Sequence, residues 1–204
     1  IIVFRFLIQF RLDLNSKNED GDNALILASS EGRNDIIKIL LDEKVNIETK
    51  DSNGYTPFLL TSYYNHISTL KILIKNKCNI YVQDNIKNNA LILACLNKHH
   101  NMVKYLCKIS DINHINKYHK SALYISVKNG YTKIVKLLLE NKANINIKTI
   151  NGKSALLTSY YYDYTSIFKM LLKHGADIEI CDKNDNTTLI LAARDNKVKY
   201  LKLL

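Results

Sequence analysis

The sequence predicts an all-α solenoid, in which helix-turn-helix units joined by hairpin loops stack on one another. Three observations lead to this fold class. A phrase of residues returns about every 33 positions, each copy carries two apolar blocks at helical spacing, and Gly, Asn and Asp residues separate the blocks. Because neither helix can bury its apolar stripe within so short a unit, neighbouring units must stack and share a core.

Two recurring phrases fix the repeat boundaries. The segments NGYTPFLL (53–60) and NGKSALLT (151–158) are versions of the first phrase, and TKIVKLLLENKANIN (132–146) and TSIFKMLLKHGADIE (165–179) are versions of the second. We predict one array over residues 1–204, made of a partial repeat at 1–17, full repeats at 18–50, 51–83, 84–115, 116–148 and 149–181, and a truncated repeat at 182–204.

The two ends of the sequence both fall inside a repeat. Val3, Phe4, Phe6, Leu7 and Ile8 are predicted to belong to the second helix of an earlier unit. A solenoid needs end units with a polar outer face, and neither end supplies one. We therefore interpret the sequence as a fragment of a longer array.

Short polar residues predict where the helices begin and how the chain turns. A side chain that can cap a helix precedes each first apolar block, at Asn23, Thr56, Asn89, Ser121, Ser154 and Thr187. The turn between the two helices falls at Gly32, Asn65, Lys98, Gly130, Asp163 and Asn196, of which only Lys98 is a residue that does not favour left-handed backbone. Asp20-Gly21, Asn53-Gly54 and Asn151-Gly152 predict type I′ hairpin turns between repeats.

This pattern resembles the ankyrin repeat across essentially the whole chain. The best matches to the family phrase are Gly54-Tyr55-Thr56-Pro57-Phe58 and His174-Gly175-Ala176-Asp177-Ile178. The resemblance implies a helical scaffold that binds other proteins. The family's histidine is absent, replaced by Ile26, Leu59, Ile92, Tyr124, Leu157 and Ile190. We therefore do not expect the hydrogen bonds with which that histidine braces the loop, but we still expect the fold.

Composition indicates a folded, reduced and basic protein. Four cysteines without a C-x-x-C pair favour free thiols in a cytoplasmic or nuclear setting. The apolar first fourteen residues are too short to cross a bilayer, and no later stretch approaches the required length. The net charge of +10 favours an anionic partner. A/T-rich codons, which also encode the abundant Asn, Ile and Tyr, are the alternative explanation of that charge.

Motifs for catalysis and metal binding are missing from the sequence. The six glycines form no phosphate-binding loop, and no H-E-x-x-H is present. One group of metal-ligating residue types clusters in the sequence, at His99, His100, Cys107, His114 and His119, but adjacent His99 and His100 point about 100° apart on a helix and cannot both face one zinc ion. We interpret this group as a loose surface cluster and predict a non-enzymatic protein without cofactor or metal.

The pentapeptide LTSYY occurs at 60–64 and again at 157–161. The two copies are offset by one position within the repeat, so that Tyr63-Tyr64 coincides in register with Tyr161-Tyr162. In ankyrin-like arrays this place lies on the concave groove where partners dock. We predict a groove that binds an acidic protein, formed by Tyr55, Tyr63, Tyr64, Lys120, Lys128, Lys153, Tyr161 and Tyr162. The protein itself is predicted to be monomeric.

A second regularity gives an alternative function. One basic residue occupies the same place on every second helix, at Arg5, Lys38, Lys71, Lys104, Lys136, Lys169 and Lys202. Stacked repeats would align them as a basic file on the convex side, suited to nucleic acid or anionic lipid. A solvated helix face explains the same pattern. A further alternative is that the repeats are a spacer beside an enzymatic domain.

Overall fold

The computed structural model describes residues 13–204, and over this range it contains twelve α-helices and no β-strand. The predicted all-α fold is confirmed. First and second helices alternate along the chain, and their bounds are α1 Ala24–Ser30, α2 Asn34–Asp42, α3 Pro57–Tyr63, α4 Ile67–Lys75, α5 Ala90–Leu96, α6 His100–Leu106, α7 Ala122–Lys128, α8 Thr132–Glu140, α9 Ala155–Tyr161, α10 Thr165–Lys173, α11 Thr188–Arg194 and α12 Val198–Leu201.

The chain divides into two compact units between Asn97 and Lys98. We call them the N-terminal unit and the C-terminal unit. The division falls between the two helices of the third repeat. Arg5 and the apolar residues predicted for an earlier helix, from Val3 to Ile8, lie outside the described residues.

Every first helix begins at a polar side chain that caps it. Residues Asn23, Thr56, Asn89, Ser121, Ser154 and Thr187 each accept a hydrogen bond from the backbone N–H three positions later. A cap of this kind satisfies an N–H group that the helix itself leaves unpaired. The capping prediction is confirmed at all six sites, including the five where Pro does not follow the capping residue.

The turn between the helices has left-handed backbone in each repeat. All six predicted positions, Gly32, Asn65, Lys98, Gly130, Asp163 and Asn196, have φ between 51° and 68°. Lys98, the residue least suited to this conformation, adopts it at φ 60°. Repeat geometry therefore overrides the local preference of a lysine.

The hairpin loops differ from the prediction. A type I′ turn needs positive φ at both central residues, whereas Gly54 has φ 81° and Asn53 is not left-handed. The Asp51 carboxylate explains the difference, because its Oδ1 accepts hydrogen bonds from the N–H of Asn53 (2.9 Å) and of Tyr55 (2.7 Å). The prediction of type I′ turns at Asp20-Gly21, Asn53-Gly54 and Asn151-Gly152 is thus wrong, since only the glycine of each pair has positive φ.

The same side-chain bracing recurs in the other loops. Asn18, Asp84, Asn116 and Asp182 each accept from two loop N–H groups, and Thr149 accepts from one. These acceptors lie at the position of Asp51 in their repeats. They supply the loop with hydrogen bonds in a chain that lacks the family's histidine.

Apolar residues of neighbouring helices form the core of each unit. In the N-terminal unit, α1 packs on α3 and α3 on α5, burying Leu25, Phe58 and Leu91 almost completely. In the C-terminal unit, α7 packs on α9 while α8 lies between α6 and α10, and Leu138, Phe168 and Leu171 are fully buried. None of the helices within residues 13–204 combines the length and the hydrophobicity that crossing a bilayer requires.

Candidate partner-binding surface

Three tyrosines of the N-terminal unit form one aromatic cluster. Tyr63 ends α3, Tyr64 follows it, and Tyr55 lies in the loop before the capping residue Thr56. The ring centroids of Tyr55 and Tyr63 are 5.8 Å apart, and those of Tyr63 and Tyr64 are 4.9 Å apart with the edge of one ring against the other. Tyr64 is 49% exposed, whereas Tyr55 and Tyr63 are half-buried. We call these residues the N-terminal tyrosine cluster.

Burial controls the ionisation of Tyr55. Desolvation, followed by the nearby Asp84 carboxylate, raises the pKa of Tyr55 to about 12. The phenol therefore stays protonated at neutral pH. It presents a hydroxyl group that can donate a hydrogen bond to a bound molecule.

The C-terminal tyrosine cluster consists of Tyr161, Tyr162 and Tyr164. Tyr161 is 41% exposed and Tyr162 is 48% exposed. The Tyr162 and Tyr164 rings stack with centroids 5.8 Å apart and planes 13° apart. The predicted tyrosines are thus surface residues here, and Tyr164 is a supporting ring that the sequence reasoning did not include.

Charged groups surround Tyr161. Its hydroxyl donates a hydrogen bond to Asp182 Oδ2 at 2.7 Å, and Lys153 Nζ lies 5.4 Å from the centre of its ring. This hydrogen bond, assisted by the backbone N–H groups of Asn186 and Asn184, lowers the pKa of Asp182 to about 2. A polar depression of about 370 Å³ is lined by Tyr161, Lys153, Asp182 and their loop neighbours.

Turn glycines of the preceding repeats make room for Tyr164 of the C-terminal cluster and for His66 beside the N-terminal cluster. A Cβ atom at Gly130 would lie 2.9 Å from Cζ of Tyr164, and one at Gly32 would lie 2.7 Å from Nδ1 of His66. His66 occupies the position of Tyr164 in its own repeat, lies 6.4 Å from the Tyr64 ring, and donates from Nε2 to the Ser30 carbonyl at 2.9 Å. Tyr164 and His66 therefore each pack closely against the turn of the preceding repeat.

Most of LTSYY is structural. Thr61 and Ser62 of the first copy and Thr158 and Ser159 of the second are buried. Tyr160 is 1% exposed, and its hydroxyl donates to the Leu191 carbonyl at 3.0 Å and lies 2.8 Å from Asp195 Oδ2. Only Tyr64 and Tyr161, the last residues of the two copies, are strongly exposed.

The three predicted lysines differ in their surroundings. Lys153 is exposed beside Tyr161, and Lys128 is exposed at the end of α7. Lys120 is half-buried, and its Nζ lies 5.1 Å from the ring of Tyr118. Tyr118 is 37% exposed and was not predicted; its signal in the sequence was its place at the tip of a hairpin loop.

The described members of the basic file are all exposed. Five of them lie on second helices, and Lys202 directly follows α12: the six are Lys38, Lys71, Lys104, Lys136, Lys169 and Lys202. Two of them make surface ion pairs with residues of their own helix, Lys38 with Asp35 at 4.0 Å and Lys136 with Glu140 at 3.8 Å. Exposed pairs of this kind contribute about 0–1 kcal/mol. They leave both lysines accessible.

The cysteines and histidines form no metal-binding arrangement over residues 13–204. All four cysteines are free. Burial raises the pKa of Cys78 to about 12 and that of Cys107 to about 11. Both thiols are therefore protonated at neutral pH and are weak nucleophiles and weak metal ligands.

The family model for ankyrin repeats in three copies matches residues 2–84 and 58–149, and the single ankyrin repeat model matches residues 151–183. The chain belongs to the ankyrin repeat family. No curated protein matches the sequence at a significant level.

Solved ankyrin structures have the same fold. An ankyrin repeat domain from Acinetobacter baumannii is 24% identical, with a TM-score of 0.78 over 86% of this chain and 93% of that one. The ankyrin repeat domain of Bcl-3, a member of the IkappaB family, is 21% identical, with a TM-score of 0.83 over 93% and 86%. The ankyrin repeat protein EF0377 is 27% identical, with a TM-score of 0.78 over 92% and 98%.

Proposed function

We propose that this ankyrin repeat chain is a non-enzymatic scaffold that binds a protein partner through its tyrosine clusters. Ankyrin repeats generally mediate protein–protein interaction. The observation that carries the proposal is the exposure of Tyr64, Tyr161 and Tyr162 at the end of a first helix in two different repeats. Solvent-facing rings at this place are not needed to fill the core.

The contacts of the clusters favour a binding role. Tyrosine offers a large contact area and a hydroxyl group, and it has few rotamers to lose on binding. Tyr64 packs against Tyr63, and Tyr162 stacks on Tyr164, so both of these exposed rings have an aromatic neighbour before any partner binds. Ordering before binding lowers the entropic cost of association.

The lysines of the C-terminal unit indicate the charge of the partner. Lys153 lies beside Tyr161, while Lys120 and Lys128 belong to the adjacent repeat. An acidic surface would complement these residues and would associate faster at low salt. We further propose that the scaffold acts as a monomer in a reducing compartment, the cytoplasm or the nucleus, which its four free thiols suit.

Photo-crosslinking tests the proposal. A photoreactive amino acid is introduced at Tyr64 or Tyr162, and at Tyr81 as the control, because Tyr81 is 72% exposed in a loop outside both clusters. We expect one protein to be crosslinked from position 64 or 162 and not from position 81. The affinity of that protein for the variants Tyr64→Ala, Tyr162→Ala and Tyr81→Ala is then measured by calorimetry.

Loss of a cluster tyrosine should weaken the binding of this partner by about 1–2 kcal/mol, the scale of aromatic hot spots. Tyr81→Ala should leave the affinity unchanged. Equal effects of all three substitutions, or crosslinking from position 81 alone, would contradict a role for the clusters. Absence of any crosslinked protein from positions 64 and 162 would favour the spacer alternative.

A further inference from the structure

The net positive charge of the chain comes from one of its two units. Residues 1–97 contain 11 Lys and Arg and 11 Asp and Glu, so their net charge is zero. Residues 98–204 contain 18 Lys and Arg and 8 Asp and Glu, which gives +10. The entire net charge therefore belongs to the C-terminal unit.

A codon bias does not explain this distribution. A/T-rich codons would enrich Lys, Asn, Ile and Tyr together. Asn occurs 13 times in residues 1–97 and 11 times in residues 98–204, and Ile occurs 14 and 12 times, whereas Lys rises from 8 to 17. Lys and Tyr are concentrated in the C-terminal unit, where Tyr rises from 4 to 9, while Asn and Ile are not. A codon bias would act on all four residue types together, so this distribution indicates a property of the protein surface.

Five of these lysines lie on three neighbouring second helices, α6, α8 and α10. We call them the outer lysine face: Lys104, Lys133, Lys136, Lys169 and Lys173. All five are exposed, and Glu140 is the single acidic residue of the three helices. Helix α8 contacts both α6 and α10. Packed helices lie about 8–10 Å apart, about one Debye length at physiological salt, so the potentials of these lysines add.

Two surface depressions lie beside α8, and both are lined by basic groups. Lys136, Lys169, Lys173 and His174 line a depression of about 490 Å³ together with Glu140. Lys98, His100 and Lys133 line another of about 340 Å³ at the start of the helix. Lys136 pairs with Glu140, while Lys104, Lys133, Lys169 and Lys173 make no ion pair with any described residue.

We propose that the outer lysine face binds nucleic acid through its phosphate backbone, without reading the base sequence. Lysine binds phosphate as a point charge, and a duplex carries one negative charge per about 1.7 Å of its axis. Because the phosphates of a duplex are so closely spaced along its axis, lysines on three neighbouring helices can each reach one. The described residues of α6, α8 and α10 include no exposed large apolar side chain, and stable membrane attachment needs such a group in addition to basic residues.

Binding to a labelled DNA duplex of mixed sequence, and to an RNA duplex, tests the proposal by fluorescence anisotropy at several salt concentrations. If about four lysines contact phosphates, the affinity should fall roughly 100-fold between about 50 and 200 mM salt. Two duplexes of different sequence should bind equally. The full chain is used throughout, and circular dichroism checks that every variant is folded.

The double variant Lys169→Glu and Lys173→Glu removes two contacts and adds two repulsive charges. We expect it to lower duplex affinity at least about 10-fold at low salt and to reduce the slope of log K against log salt by about 2. The matched control is Lys71→Glu with Lys75→Glu, which changes the same two repeat positions of α4 by the same charge. Its effect should stay within about 3-fold, because only the long-range field changes.

Equal loss of affinity in the two double variants would overturn the proposal, because the net charge alone would then be responsible. Tighter binding to phosphatidylserine vesicles than to duplex, at equal anionic charge, would assign the face to a membrane. Competition by polyglutamate as effective as competition by duplex would assign it to an acidic protein. A slope below about 1 would mean that at most one phosphate is contacted, which would overturn the proposal.

Discussion

The two copies of LTSYY have the same residues and different structural roles. The fourth residue of the first copy, Tyr63, is half-buried beside Tyr55 and Tyr64 on the surface. The fourth residue of the second copy, Tyr160, is 1% exposed and packs edge-on against Tyr200, with ring centroids 4.9 Å apart. The difference is one position of register, since Tyr160 occupies the place that Ser62 has in its repeat.

Register within the repeat, and not the identity of the residues, therefore decides which side chains are available to a partner. Thr61 and Ser62 each donate to the Phe58 carbonyl, at 2.8 and 3.1 Å, and Ser159 donates to the Leu156 carbonyl at 2.7 Å. These hydroxyl groups bond within their own helix, which satisfies them in the core. Small polar residues thus serve packing in both copies.

The largest effect is expected from removing the buried ring. Tyr160→Ala should lower the free energy of unfolding by about 3–5 kcal/mol, because a large cavity forms between α9 and the last repeat. Tyr63→Ala, the matched change in the first copy, should cost less than about 2 kcal/mol because that ring is partly solvated. Urea unfolding followed by circular dichroism measures both. Similar costs for the two substitutions would show that the fourth residues are equivalent after all.

A smaller effect is expected from imposing the second copy's register on the first. Ser62 is fully buried and hydrogen-bonded. Ser62→Tyr puts a phenol ring at the repeat position of Tyr160, where the neighbouring side chains are packed around a serine. Overpacking should destabilise the protein by about 1–3 kcal/mol. Ser62→Ala is the control for the lost hydroxyl, and a tyrosine variant as stable as wild type would mean that both repeats have room for the ring.

The hydroxyl of Tyr160 provides a finer test of its role in the core. Tyr160→Phe keeps the ring and removes the donor to the Leu191 carbonyl and Asp195. We expect a loss of about 1–2 kcal/mol, since a buried acceptor loses its partner. Tyr64→Phe removes the hydroxyl of an exposed side chain, so it should change the free energy of unfolding by less than about 0.5 kcal/mol. No loss in the Tyr160 variant would mean that the ring alone supplies the stability.

The repeat architecture could be predicted from sequence because each of its signals occurs six times. Caps such as Thr56 and turn residues such as Lys98 are confirmed, the latter because the period of the repeat outweighs the preference of one lysine. The loop geometry was predicted wrongly at Asn53-Gly54. The deciding contact comes from Asp51, two residues earlier, and dipeptide preferences do not include it.

The candidate site was harder to predict than the fold. Repeat register correctly separated exposed Tyr64, Tyr161 and Tyr162 from the core. The partners of these rings follow from tertiary packing, as when Tyr161 reaches Asp182, twenty-one residues further along the chain. The concentration of lysine in the C-terminal unit was present in the sequence, but it becomes meaningful once the boundary between Asn97 and Lys98 is known.

The smallest effect concerns the last residue of the second copy. Asp182 has its pKa lowered to about 2, mainly by the hydrogen bond from Tyr161, against an ordinary value of 3.8. A lowered carboxyl pKa adds stability above the unfolded pKa, and this stability is lost as the pH falls through the folded pKa. Tyr161→Phe should therefore destabilise the protein slightly above about pH 4, by less than about 1 kcal/mol for a surface pair. The difference from wild type should shrink as the pH approaches 2.

Tyr162→Phe is the control for this measurement, because no hydrogen bond between its hydroxyl and Asp182 is present. Urea midpoints at pH 5 and near pH 2 are compared for the wild type and both variants. Convergence of only the Tyr161 variant with the wild type in acid would link Tyr161 to Asp182. A difference that is independent of pH would mean that the Tyr161 hydroxyl acts without the carboxylate.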